Sequence, residues 1–213
     1  VGSEMCIRDR LTFDSISASI ARGESQAISS GPKLIGALKS IGLRELILLN
    51  RETKKEFIQC EPGGVQRYQY EEDTPQLKWE LLQGDSTIAG YQCQKAKTRL
   101  FGRDYIAWYA PDVELPYGPY KFCGLPGLIF KVQDTQNNFI FTLTGLQKVK
   151  SYTPIYMYDK SAVTKSTRKT VRQMYKNYCA DPIKALTGDG SITVSADVAA
   201  TVKAKPYNPI ELE

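Results

Sequence analysis

The chain has 213 residues, 28 Lys and Arg against 23 Asp and Glu, a formal net charge of +5 and no histidine. The missing imidazoles exclude Ser-His and Cys-His nucleophile activation, histidine zinc sites and histidine pH sensing, which leaves carboxylate, lysine, tyrosine and thiol chemistry. No run of 18 apolar residues occurs, so no segment reads as a membrane-spanning helix.

The first ten residues, Val-Gly-Ser-Glu-Met-Cys-Ile-Arg-Asp-Arg, resemble a translated sequencing-adapter remnant. They are set apart from the fold as a non-native tail expected to make almost no packing contacts. Residues 11–213 then read as one domain, long enough to bury on the order of 70% of the surface of the unfolded chain. From Lys33 to Leu43, Leu34, Ile35, Leu38 and Ile41 recur at helical spacing between Pro32 and Gly42, which predicts a short helix. Strand patterns follow at Leu46–Leu49, Glu56–Gln59, Val65–Tyr70, Gln76–Leu82 and Ile88–Leu100, divided by Glu61-Pro62-Gly63-Gly64 and Gln83-Gly84-Asp85. Leu100-Phe101-Gly102-Arg103 reads as a hairpin bend into a strand at Tyr105–Tyr109. Leu128, Phe130 and Val132, then Phe139, Phe141 and Leu143, alternate as a second hairpin around Thr135-Gln136-Asn137-Asn138. Tyr152, Tyr156 and Tyr158 fit a half-buried strand better than a platform for nucleic-acid bases. A helix is expected over Ala162–Ala180, opened by Asp159 or Ser161 and stopped by Asp181-Pro182. The basic residues of Lys160–Lys176 form its solvated face, and the tail from Gly188 is expected to be partly extended.

Consecutive strands without intervening helices predict a mainly β, α+β fold: a single antiparallel, curved sheet or partly open barrel with about two covering helices. The irregular part is 110–127, with Pro111, Pro116, Pro119, Pro126, Gly118, Gly124 and Gly127. Prolines lack the donor a ladder needs and glycines admit φ > 0, so an ordered loop is expected, packed by Tyr117, Tyr120 and Phe122. Pro126-Gly127 suits the centre of a type II turn.

Gly118-Pro119-Tyr120-Lys121-Phe122-Cys123-Gly124-Leu125-Pro126-Gly127-Leu128-Ile129 resembles the signature of the GLPGLI family, bacterial proteins with no established biochemical activity. Trp79-Glu80-Leu81, Ile88–Ala96, Gly102-Arg103, Ala107-Trp108-Tyr109 and Tyr207–Leu212 resemble the family pattern in its order. The resemblance is specific from about Trp79 to Phe141, and it implies export past the inner membrane, hence a periplasmic or secreted protein.

Three functions are weighed. The first is a non-enzymatic envelope protein that binds an apolar ligand or a partner protein through the loop and its aromatics: Trp108, Tyr109, Tyr117, Tyr120, Phe122 and Leu125. The second is a hydrolase using loop carboxylates, Asp112 and Glu114, with Asp104 nearby. The third is a structural module in which Gly118, Pro119, Gly124, Pro126 and Gly127 serve folding alone. No cofactor, metal site or nucleic-acid partner is indicated. Cys60, Cys93, Cys123 and Cys179 form no C-x-x-C pair and fit either buried thiols or disulfides. Cys93 with Cys123 is the favoured bridge, because a loop folding back over its strand could bring the two together.

Overall fold

The computed structural model describes residues 6–7, 45–50, 52–63, 66–146, 157–188, 190 and 192–213. The helix expected over Lys33–Leu43 and the tyrosines Tyr152 and Tyr156 lie outside these. In chain order the elements are β1 (Cys6–Ile7), β2 (Glu45–Asn50), β3 (Lys55–Cys60), β4 (Tyr68–Asp73), β5 (Glu80–Ile88), β6 (Tyr91–Leu100), β7 (Arg103–Ala110), β8 (Leu128–Asp134), β9 (Ile140–Thr142), a 3-10 turn (Lys160–Ala162), β10 (Thr164–Lys165), α1 (Arg168–Ala180), α2 (Pro182–Thr187) and α3 (Ala196–Thr201). The chain divides into two compact units, Val1–Glu72 with Ile155–Tyr207 and Asp73–Pro154 with Asn208–Glu213.

The fold is mainly β with helices, as the pattern requires, but the strands form two five-stranded sheets, not one: β1-β2-β3-β4-β10 and β5-β6-β7-β8-β9. The break falls at Thr74-Pro75. Proline has no N–H for a ladder, so β4 is not followed by a hairpin. Among the described residues neither sheet closes into a barrel.

In the first unit β2 and β3 pair from Glu45 opposite Cys60 to Asn50 opposite Lys55, and Asn50 Oδ1 closes their turn by accepting the N–H groups of Glu52 and Thr53 at 3.1 Å. Cys6 and Ile7 pair with Leu48 and Ile47 of β2, so the N-terminal segment expected to stand apart contributes two residues to this sheet. Buried Gln59 is satisfied on both sides of its amide, donating to Gln69 Oε1 and the Tyr158 carbonyl and accepting from the Tyr158 N–H. The second predicted helix begins six residues later than its sequence signals suggest. Asp159 instead caps the 3-10 turn, and Thr164-Lys165 joins β4 in parallel before Thr167 Oγ1 caps α1 through the Thr170 N–H. The helix stops at Asp181 as expected, and Asp181 Oδ1 then caps α2, with Pro182 in its first turn. Val171, Tyr178 and Cys179 face inward while Lys169 and Lys176 are exposed, which makes the basic run a solvated face. Past Gly188 the tail is not wholly extended, since it carries α3.

In the second unit β5 to β9 form an uninterrupted antiparallel meander. Ala89 (φ +51°) and Gly90 (φ +84°) make the β5–β6 turn, and Phe101 (φ +42°) and Gly102 (φ +84°) the next. Two consecutive left-handed residues match the type I′ geometry that suits the strand twist. The sequence placed the first of these turns at Gln83-Gly84-Asp85, but β5 runs through it with a bulge between Leu82 and Asp85.

Among the described residues no helix is long and apolar enough to cross a membrane.

Candidate functional site

Alternation along β6, β7 and β8 gives the second sheet two faces with different chemistry. Ala96 lies opposite Ala107, which lies opposite Val132; Thr98 lies opposite Tyr105, which lies opposite Asp134. All six are buried. The loop 111–127 covers this inner face with its second half. Phe122 packs edge-on against Tyr105 at 4.7 Å between ring centroids, Tyr120 lies beside Phe122, and Leu125 is 1% exposed. Its first half packs differently. Val113 and Tyr117 sit against Cys93, Ala110, Leu128 and Phe130, where the register shift between Trp108 and Tyr109 leaves Phe130 unpaired and places its ring 5.0 Å from that of Tyr91.

Two glycines of the loop, Gly118 and Gly127, are explained by close approach. A Cβ on Gly118 would lie 2.8 Å from Ile129, and one on Gly127 only 2.2 Å from the Ala110 carbonyl oxygen. The type II turn expected at Pro126-Gly127 is not formed. The Gly127 N–H donates to the Leu125 carbonyl at 2.8 Å, a three-residue turn centred on Pro126, while the Leu128 N–H that would close a type II turn donates to Val113 at 2.9 Å. Gly124 (φ +92°) adopts the left-handed conformation and donates its N–H to the Pro116 carbonyl, and the Pro119 carbonyl accepts from Phe122. The Trp79 indole N–H donates to the Cys123 carbonyl at 2.8 Å.

A set of buried polar contacts then fastens the loop and sheet to Asn208–Glu213. Lys121 Nζ lies 2.7 Å from Glu211 Oε1 with both side chains buried, and the Tyr120 hydroxyl donates to the same oxygen at 2.6 Å. The Tyr105 hydroxyl donates to the Ile210 carbonyl at 3.0 Å. Arg103 donates to the Pro209 carbonyl at 2.7 and 3.0 Å, to Asn208 Oδ1, and to Asp134 Oδ2 at 3.4 Å. Asp134 also accepts from Asn138 and from the Phe139 N–H. Burial by itself would raise this carboxyl, but the hydrogen bonds from Asn138 and Phe139 and the Arg103 charge outweigh it and hold Asp134 below the usual carboxylate range. Burial pushes the Tyr105 phenol up, so it stays a protonated donor. A lysine between Tyr120 and Phe122 was the available signal for this clamp. Its partner, 90 residues on, had none beyond its place in the Tyr207–Leu212 stretch.

The opposite face carries one row across three strands: Lys95, Trp108 and Lys131. All three are half-buried, and the two ammonium groups lie 5.8 and 4.9 Å from the indole centre, within cation–π range. Farther along this face Lys97 pairs with Glu80 at 3.0 Å and Arg99 with Asp104 at 3.1 Å. Among the described residues no carboxylate lies within ion-pair distance of Lys95 or Lys131.

Of the residues expected to line a groove, Trp108 alone belongs to this row, and like Tyr117 it packs against the buried cluster of Cys93, Ala110, Leu128 and Phe130. Tyr109, Tyr120, Phe122 and Leu125 are core, and Tyr117 of the loop's first half is half-buried. The buried rings of Tyr120 and Phe122 hold the loop down on the sheet. Asp112 and Glu114 are exposed on the loop's first half. The Cys93–Cys123 bridge is not formed, and Cys60 and Cys179 are thiols as well. Cys93 is enclosed by Ala110, Leu128 and Phe130, a cluster that does not include Cys123. Burial raises the Cys93 thiol against a smaller opposing effect from a backbone hydrogen bond at Ile88, which leaves it a poor nucleophile.

No family model matches the chain, and no curated protein matches it. Among solved structures it is similar to PNGF-II in two crystal forms: in space group C2 at 19% identity with a TM-score of 0.45, and in P21 at 17% with 0.43. Each match covers 67% of this chain and 26% of the PNGF-II chain, so the chain spans about a quarter of the length of those structures.

Proposed function

We propose that the protein is a non-enzymatic binding module of the bacterial cell envelope, periplasmic or secreted, that engages a partner protein through the outward face of β6, β7 and β8 around Trp108. The observation that carries this is the division of aromatics between the two faces. The signature loop spends Tyr120, Phe122 and Leu125 on the core and is fastened by Lys121 and Glu211, whereas Trp108 is only half-buried on the other face, between two lysines, with part of its ring packed beside Cys93, Ala110, Leu128 and Phe130. Tryptophan is among the residues most enriched at the hot spots of binding surfaces, and the flanking lysines supply charge for steering a partner. The envelope assignment rests on the resemblance to the GLPGLI family. The loop has a folding role here, as in the structural reading, and it serves binding by holding the sheet in shape.

The test places a photo-crosslinking amino acid at Ile106, beside Trp108 on the outward face, or at Leu115, an exposed residue of the loop. In cells that make the protein, irradiation should give a discrete adduct from position 106 and none from position 115. Adducts from position 115 alone would return the binding role to the loop and overturn the proposal.

A further inference from the structure

Resting on that reading, we infer that the partner presents an acidic stretch of polypeptide, with two carboxylates that take up Lys95 and Lys131 on either side of Trp108. Four basic side chains of the outward face have assigned positions in the register, and they fall into two classes. Lys97 and Arg99 are neutralised by Glu80 and Asp104. Lys95 and Lys131 have no such carboxylate among the described residues, although they are the less exposed pair. A half-buried ammonium sheds part of its hydration and gains more from an anion than a fully solvated one does. These two charges are therefore the ones with most to gain from a visiting carboxylate.

The geometry sets the scale of the ligand. With distances of 5.8 and 4.9 Å to one ring centre, the two ammonium groups are at most about 11 Å apart. Adjacent strands lie about 4.8 Å apart, so the two lysine backbones, one strand removed on each side of Trp108, are separated by about 10 Å. In an extended peptide, acidic side chains two residues apart share a face and lie about 7 Å apart at the backbone, within reach of both ammonium groups. The next row holds Lys97, Ile106, Gln133 and Ile140, of which Ile140 is 54% exposed, so apolar contact is available beside the charges. An inorganic anion would reach one lysine and gain nothing from Ile106 and Ile140.

The probe is a fluorescein-labelled eight-residue peptide of alternating glutamate and serine, followed by fluorescence anisotropy against the intact protein. A lysine-serine peptide of the same length is the control. The acidic peptide should bind, and raising salt from about 50 to 300 mM should weaken it severalfold. Lys95→Gln and Lys131→Gln should each weaken binding about threefold or more, and together about tenfold, while Lys97→Gln, already paired, should change it less than about twofold. Thermal melts of all three variants serve to show that each remains folded. Equal losses from Lys97→Gln and Lys95→Gln would overturn the inference. So would capture of polygalacturonate in place of the peptide, or self-association of the protein that Lys95→Gln abolishes. If the adduct from position 106 persists while the peptide is not held, the acidic class falls and the binding face stands.

Discussion

Replacing Gly127 with alanine tests whether this loop glycine answers to turn type or to crowding. The added Cβ would lie 2.2 Å from the Ala110 oxygen, 2.7 Å from its carbonyl carbon and 2.9 Å from Pro111 Cα. All three neighbours are backbone, so no side chain can swing aside. Ala110 is pinned as the pairing partner of Leu128, and its oxygen accepts the Val113 N–H at 3.2 Å. Relief requires a shift of about 1 Å at the junction of β7, β8 and the loop, since carbon atoms normally stay beyond about 3.5 Å. Overpacking of this kind costs about 1 to 3 kcal/mol, and holding an L-residue at φ +156° adds a similar amount. The expected loss is about 2 to 6 kcal/mol, a large part of the stability of an ordinary domain. Urea unfolding followed by far-UV circular dichroism reads it as a lower midpoint at unchanged slope. Valine should cost no less than alanine, because the clash begins at Cβ. An alanine variant within about 1 kcal/mol of the parent would refute the steric reasoning and return the glycine to a role in turn geometry.

Lys121→Met removes the ammonium from a buried carboxylate and should cost about 3 to 5 kcal/mol in the same assay. Adding Glu211→Gln should cost far less than its effect alone, and additive losses would dissolve the clamp. Because Asp134 is held below its ordinary value, its contribution is complete above the unfolded value near pH 4 and fades as pH falls through the folded one. The urea midpoint of Asp134→Asn should accordingly depend less on pH between about 2 and 5 than that of the parent, and parallel profiles would contradict the assignment. Ala89 holds φ +51° in its two-residue turn, so Ala89→Gly should stabilise by about 0.5 kcal/mol, measurable as a raised melting temperature. A loss would mean the turn is not strained there.

Elements whose period was long and regular were readable from the sequence: β6, β7 and β8, the Phe101-Gly102 hairpin, and the stop of α1 at Asp181. Errors arose where one local signal served two geometries. Gly84 looked like a turn and is a bulge, because a two-residue loop at Ala89-Gly90 lets Ile88 face Tyr91 and the strands pair past it. Asp159 and Ser161 looked like a helix start and cap a 3-10 turn, since pairing of Thr164-Lys165 with β4 outweighs local propensity. At the site, ring-rich composition marked the loop correctly as ordered but could not say which rings face inward, because irregular backbone has no period to read. The Lys95–Trp108–Lys131 row is a register property. It becomes visible only once β6, β7 and β8 are aligned.

The six residues Asn208–Glu213 complete a unit whose other part, Asp73–Pro154, is synthesised earlier, with Ile155–Tyr207 made in between. A nascent chain that has emerged only as far as β9 contains all five strands of this sheet, but Lys121 lacks Glu211 and Arg103 lacks the Pro209 carbonyl. The last stage of assembly is thus tied to the end of this stretch of translation, and it joins groups about 90 to 106 positions apart. Contacts of that separation close slowly. A ribosome stalled within Ile155–Tyr207 would leave the meander paired but open at the place where the tail belongs, with the Tyr105 and Tyr120 hydroxyls still seeking their acceptors.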